Sequence, residues 1–208
     1  MKVFWVILAA AVAGLIAIFV VAGGRSTTPV TSTEPLALVA DDHTAGPASA
    51  PATLIEYSDF QCPACASYAP IIERLQETFG KKLRFVYRHY PLTSIHANAF
   101  AASQAAEAAT GQDKFFAMAD KLFATQTEWS DNPQANQLFT EYAKELGLDL
   151  EAYEQARQAR ATTDRINRDV QTGQQLRLTG TPSFFLNEQK IEPRSYEEFK
   201  ALIEAALD

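Results

Sequence analysis

Cys62 and Cys65 are the only cysteines in this chain of 208 residues, and they stand as Cys62-Pro63-Ala64-Cys65. Neither has another thiol to pair with. Two thiols at this spacing can cycle between a dithiol and a disulfide, with the thiolate as nucleophile. As a purely structural bridge the pair would do little, because so short a loop restrains the unfolded chain weakly. The motif follows the apolar run Thr53-Leu54-Ile55-Glu56-Tyr57, a setting that reads as a redox site. Zinc needs about four ligands, and one C-x-x-C supplies two. His43 falls in a linker-like stretch, and His89 and His96 have no second pair, so no metal site is expected.

The elements that would position these thiols can be read from periodicity. Thr53 to Tyr57 reads as a buried strand. Pro63 suits the first turn of a helix, where its missing N–H is not felt. That helix should run through Ile71, Ile72 and Leu75 to Phe79 and end at Gly80, with a kink at Pro70. Leu83 to Tyr90 is a second strand, with Leu83, Phe85 and Tyr87 on one face. Helical spacing follows in Phe115, Phe116, Ala119, Leu122 and Phe123, in Leu138, Phe139, Tyr142 and Leu146, and in Ile166, Val170 and Gly173. Gly111, Asn132-Pro133 and Gly147 punctuate separate helices. Ser183 to Leu186 is a third strand, turning near Asn187 into Lys190-Ile191. Ser195-x-x-Glu198 is a capping box for a last helix. The order β-α-β, helical block, β-β-α describes an α/β, thioredoxin-like fold with an all-helical insertion at about 96–178.

Val3 to Ala22 is an unbroken apolar run, long enough at about 20 residues to cross a bilayer and longer than the core of a cleaved signal. Lys2 precedes it, Arg25 follows, and no Lys or Arg recurs before Arg74. That pattern predicts an N-terminal transmembrane helix in residues 1–25, with the N-terminus in the cytoplasm and the body on the extracytoplasmic side. The rival reading is a cleaved signal with Val20-Val21-Ala22 as a poor cleavage site. Residues 26–52, rich in Ser, Thr, Pro, Ala and Gly, are expected to form a flexible linker, with Leu36 to Val39 its one strand-like stretch. Residues 53–208 are expected to form one domain. The net charge of −7 argues against a nucleic-acid partner.

The chain resembles the DsbA-like thiol:disulfide oxidoreductases of the membrane-anchored, exported kind, over about residues 52–207. Asp59-Phe60-Gln61-Cys62-Pro63-Ala64-Cys65 is similar to the family's aromatic-x-Cys-Pro-x-Cys site, and Pro70 stands five residues after the second cysteine. Arg88-His89-Tyr90-Pro91-Leu92 with His96 resembles the passage from strand to insertion. Gly180-Thr181-Pro182-Ser183-Phe184 looks like the cis-proline loop. The departure is Ala64, where the best-known member has His. The resemblance implies thiol–disulfide exchange with no cofactor beyond the redox-active disulfide, with Cys62 as the outer thiolate and Cys65 as the inner thiol. It implies a buried acid at Glu56 serving as proton relay for Cys65. It implies a cis Pro182, with Thr181 offering backbone hydrogen bonds to an extended substrate. Implied partners are exported thiol-containing proteins and a membrane protein that reoxidises the disulfide, met by a monomer held at the cytoplasmic membrane through residues 3–22. An apolar groove beside Cys62 is expected from Tyr57, Phe60, Tyr68 and Phe184. Export favours oxidation. A reductase or isomerase with the same site, or a non-catalytic peptide-binding module, are the alternatives.

Overall fold

A computed structural model describes residues 34–208. The run at 3–22 and the anchor assigned to residues 1–25 lie outside the described residues. Among the described residues no helix is long and apolar enough to cross a membrane.

Five strands form one sheet, in the order β1-β3-β2-β4-β5. The central pair is β2 (Ala52–Ser58) and β3 (Leu83–His89), parallel from Ala52↔Leu83 to Ser58↔His89. Helix α1 (Pro63–Phe79) makes the crossover between them. Both faces of this pair are covered, so its residues are apolar on each side. Leu54, Phe85 and Tyr87 face the main core, while Ile55, Tyr57 and Val86 face a smaller cluster with Phe185. Strand β4 (Ser183–Leu186) runs antiparallel to β2, with Tyr57 opposite Ser183, and β5 (Gln189–Ile191) closes that edge. This register carries the loop before Ser183 to the end of β2 where α1 begins. It brings together two segments about 120 residues apart.

Six helices fill the insertion: α2 (Ala99–Ala108), α3 (Phe115–Ala124), α4 (Gln126–Trp129), α5 (Ala135–Glu145), α6 (Leu150–Gln158) and α7 (Arg160–Gln175). Trp129, Phe139 and Tyr153 are fully buried in it, and so are Ala99, Ala102, Ala105 and Ala106 of α2, small side chains that let neighbouring helices approach. Helix α8 (Tyr196–Leu207) ends the chain. The Ser195 hydroxyl accepts from the Glu198 N–H at 3.2 Å, as the capping box predicts. The Glu198 carboxylate reaches back one residue further than expected, to the Arg194 N–H at 2.7 Å.

The stretch predicted as linker differs most. Within 26–52, residues from Pro35 onward pack onto the domain. Strand β1 (His43–Ala45) pairs antiparallel with the edge of β3, His43 opposite Tyr87. The cause is Arg88, almost fully buried on β3. A buried guanidinium must spend its donors on acceptors. Arg88 donates to the carbonyls of Pro35 at 2.6 Å and Ala37 at 2.7 Å, and to the Asp42 carboxylate at 3.0 and 3.1 Å. Leu36 to Val39 forms no strand; it supplies carbonyls instead. β1 is held in turn by Gly46, whose φ is +88° and where a Cβ would collide with the Leu83 carbonyl. Gly46→Ala should therefore lower stability by about 1–3 kcal/mol through overpacking and strain. Urea unfolding measures it, and an unchanged midpoint would mean that this segment is a tether after all.

Candidate functional site

The site begins with the turn that joins β2 to α1. The Asp59 carboxylate is fully buried. One of its oxygens accepts from the Gln61 N–H at 2.8 Å. The other accepts from the Leu92 N–H at 2.8 Å and lies 2.7 Å from His96 Nδ1. Gln61 donates to the Ser130 carbonyl at 2.7 Å and accepts from the Asn98 N–H at 2.7 Å. The Gln126 amide donates to the carbonyls of Phe60 at 2.7 Å and Cys62 at 3.0 Å. The insertion thus grips the turn at every residue. Asp59, Gln61, Asn98 and Gln126 carry this work, and the sequence assigned none of them a role. Polar residues so deep in a core are a tertiary fact, and only the cysteine motif beside them hints at it.

Cys62 is the N-cap of α1, with Pro63 at its first turn, as predicted. Both thiols are free; Cys62 is 7 % exposed and Cys65 is fully buried. The Cys62 thiol is lowered to about 5. The first cause is a hydrogen bond from the Cys65 thiol. Burial opposes it, and the backbone N–H groups of Cys65 and Ala64 and a contribution from Thr181 add to it. These are the open donors of a helix start. Burial pushes the Cys65 thiol well above its ordinary value, helped by the Cys62 hydrogen bond and the Glu56 charge. The two thiols are therefore unlike: one ready to carry charge, one held neutral.

Glu56 and Ser58 point to the same face of β2, two residues apart. Glu56 is 4 % exposed. No Lys or Arg pairs with it among the described residues; its carboxylate accepts from the Ser58 hydroxyl at 2.6 Å. Burial raises the carboxyl to about 7, with Ser58 opposing and the Cys62 charge adding. Beside it the Tyr87 hydroxyl is buried with no hydrogen-bond partner. Glu56 and Tyr87 line a cavity of about 370 Å³ between α1 and α3, with Glu73 and Asp120 also on its wall. The acid thus has both a thiol that feels its charge and a space that water can enter.

The Thr181–Pro182 peptide is cis. The Thr181 carbonyl accepts from the Cys62 thiol at 3.3 Å. The loop opens on a groove of about 380 Å³ lined by Tyr68, Pro182, Phe184, Lys190 and Arg194 among others. Of the four aromatics expected there, only Tyr68 and Phe184 line it. Tyr57 and Phe60 are fully buried. Tyr57 faces the far side of the sheet, its hydroxyl 2.8 Å from that of Thr172, and Phe60 stacks on Tyr87 at 5.1 Å. Strand alternation sends Tyr57 away from Glu56, and the turn drives Phe60 inward. The structure also gathers His43, His89 and Glu107, with donor atoms within 4.8 Å of one another. The sequence placed His43 in the linker and expected no metal site; folding of that segment brings the three together.

The Thioredoxin family profile matches residues 39–205. The Na(+)/H(+) antiporter NhaA 1 of Mycobacterium sp. (strain KMS) is 38% identical over 150 residues. That match spans 70% of this chain and 23% of the antiporter. Among solved structures, Wolbachia pipientis alpha-DsbA1 superposes with TM-score 0.75 at 22% identity, over 85% of this chain and 96% of its own. Oxidised BdbD from Bacillus subtilis superposes with TM-score 0.71 at 22% identity, over 80% and 92%. The chain belongs to the thioredoxin family and has the fold of the DsbA-like proteins.

Two measurements check the site. In the reduced protein, iodoacetamide should modify Cys62 with a titration midpoint near 5, while Cys65 stays unreactive through neutral pH; mass mapping of alkylated peptides reads both, and equal rates would overturn the assignment. Glu56 supplies a stability signature. Its folded value of about 7 lies above the unfolded value of 4.5. The folded protein therefore holds an extra proton between them, and stability falls as pH rises from about 4.5 to 7 and then levels. The loss is at most ~3 kcal/mol. Glu56→Gln should lack this fall, so the difference between the two proteins in urea unfolding should widen across that window.

Proposed function

We propose that this chain is a thiol:disulfide oxidoreductase that introduces disulfides into exported proteins through Cys62 and Cys65. The observation that carries it is the asymmetry of the pair: a low-lying Cys62 thiol against the Thr181 carbonyl, backed by a buried, neutral Cys65. In the oxidised enzyme a substrate thiolate attacks Cys62 Sγ. A mixed disulfide forms and Cys65 leaves as a thiolate. Its high proton affinity draws a proton, and Glu56, raised to about 7, is the nearby acid to give it. A second substrate thiolate then attacks the substrate sulfur of the mixed disulfide. Cys62 leaves as the stabilised thiolate, the substrate keeps the disulfide, and two electrons stay on the enzyme as the reduced pair. The disulfide serves as the only redox group.

The Thr181 backbone and the groove by Tyr68 and Phe184 are the substrate-docking surface in this reading, supported by the contact of the Thr181 carbonyl with Cys62 and by the place of Thr181 on the groove's wall. Residues 3–22 hold the enzyme at the cytoplasmic membrane as a monomer, with the domain outside and a membrane protein restoring the disulfide. The apolar run and its flanking charges support that placement. The antiporter activity in the Mycobacterium relative's name belongs to a chain of which this one matches 23%, and it is not carried over.

The test sets direction. The oxidised protein should restore activity to a reduced, denatured disulfide protein in stoichiometric single turnover, and should do so faster than the reduced protein cleaves insulin disulfides. The reverse ranking would make it a reductase. Ala64 offers the thiolate only its backbone N–H, so Ala64→His, which adds a donor or a positive charge, should shift the equilibrium with glutathione toward reduced enzyme by roughly tenfold, ~30 mV. No shift would assign the potential to the helix terminus alone.

A further inference from the structure

Away from the cysteine pair, two imidazoles converge on one carboxylate oxygen. His43 Nε2 lies 2.6 Å and His89 Nε2 2.9 Å from the same Glu107 Oε1. The three residues come from β1, the end of β3 and α2. Their side chains are 6 %, 0 % and 7 % exposed. We propose that His43, His89 and Glu107 bind a divalent transition metal of the zinc class, which fastens β1 to β3 and the helical insertion.

Ring orientation is the first support. His43 stacks flat on Phe115, with centroids 3.4 Å apart and planes 5° apart. His89 is packed edge-on against Tyr87 and Phe115. These aromatic walls aim both Nε2 atoms at one point. The donor chemistry is the second. Two neutral imidazoles and a carboxylate form the set that zinc takes in three-ligand sites, with water in the fourth position. Calcium and magnesium prefer all-oxygen shells. Spacing is the third. Ligands about 2.0–2.1 Å from a tetrahedral metal lie roughly 3.3 Å apart. The two nitrogen–oxygen separations, 2.6 and 2.9 Å, need to widen by about half an ångström, within reach of a carboxylate rotation, and the donor atoms all lie within 4.8 Å of one another.

Two features set the strength. Arg165 lies near Glu107 and His43, but its charge is matched by Asp169 at 2.5 Å and Asp42 at 3.7 Å. The Asp169 carboxylate also accepts from the His89 N–H at 3.0 Å, which holds the strand end in place. His89 Nδ1 has no partner, so no protein group fixes the ring's tautomer. A ligand without that outer hydrogen bond binds metal roughly 10–100-fold more weakly. The site is therefore expected to hold metal reversibly, and chelators should strip it without unfolding the domain.

The experiment uses the tag-free full chain with the Cys62–Cys65 pair oxidised, so that thiolates cannot ligate. Cobalt(II) should give visible ligand-field absorption at one equivalent, without a thiolate charge-transfer band, and zinc should displace it. Zinc should also raise the melting temperature of this protein. Glu107→Gln and His89→Asn should lose both effects. Because these positions are buried, His43→Gln, a neutral change on the short edge strand β1, is the second variant; its Cys62 alkylation profile should match the parent, which shows that it folds, while cobalt binding falls at least tenfold. Absence of cobalt absorption and of any zinc effect on melting in the parent would overturn the proposal and leave a hydrogen-bonded cluster. Binding that survives both His43→Gln and Glu107→Gln would do the same. The outcome is independent of the redox function proposed above.

Discussion

A thiol and a carboxyl lie close together in the interior behind Cys62, and they cannot both be charged there. Two unit charges about 4 Å apart interact by on the order of 4 kcal/mol at the effective dielectric typical near a protein surface, and repulsion between like charges is of that size. The strand supplies the geometry, since alternation places Glu56 and Ser58 on the α1 side of β2. Negative charge therefore goes to Cys62, at the open end of the helix, where backbone N–H groups already wait. The neutral partners stay inside, with burial holding Cys65 and Glu56 protonated. The reactivity of the pair follows from this division rather than from the dipeptide between the cysteines alone.

The helical insertion has a structural part in that division. Thioredoxin-like topology alone puts a turn at the end of β2, but it does not fix the turn's carbonyls. Here Gln126 holds those of Phe60 and Cys62, while Gln61 and Asp59 are tied to Asn98, Ser130, Leu92 and His96. Each hydrogen bond of this kind contributes about 1 kcal/mol net, but leaving one partner buried and unmet costs more. The turn is therefore rigid because its alternatives are expensive. That rigidity keeps Cys62 Sγ against the Thr181 carbonyl in the position an incoming thiolate has to reach.

What was legible in the sequence were the local rules. Pro63 marks the start of α1 and Gly80 its end, and the apolar strands at 53–57, 83–90 and 183–186 fall within a residue or so of their observed bounds. Cys62, Cys65, Glu56 and Thr181 are neighbours in the fold, and the Thr181–Pro182 peptide is cis. What was not legible were contacts made through backbone carbonyls. Composition marks Pro35 to Ala52 as tether-like because it lacks apolar period, yet a buried Arg88 recruits its carbonyls and Asp42. Nothing in a linear reading shows that Arg88 is inward-facing. The same docking converts His43 from a linker residue into part of a buried cluster, and so hides the second site from any pattern search. The groove aromatics fail for a related reason: Tyr57 and Phe60 are near Cys62 in sequence but point into two different cores.

The electrostatics also give the pair a pH sense. A thiol whose value falls from 9 to about 5 stabilises the reduced protein fully above pH 9, less as pH falls, and not at all below about 5. Relative to an ordinary thiol pair, the disulfide is thus a stronger oxidant as pH rises from about 5 to 9 and gains nothing further above 9, because its reduced product is the state that gains. Glu56 works in the opposite direction. Its carboxyl is held up in part by the Cys62 charge, so thiolate formation favours the protonated acid. Near neutral pH, then, the reduced site holds its charge on Cys62 and its proton on Glu56. In the proposed mechanism Glu56 gives that proton to Cys65 as it leaves the mixed disulfide, and the acid is ionised until it is reprotonated. The cavity at Glu56, walled in part by Glu73 and Asp120, is in that proposed mechanism the space from which water would reprotonate the acid for the next turnover.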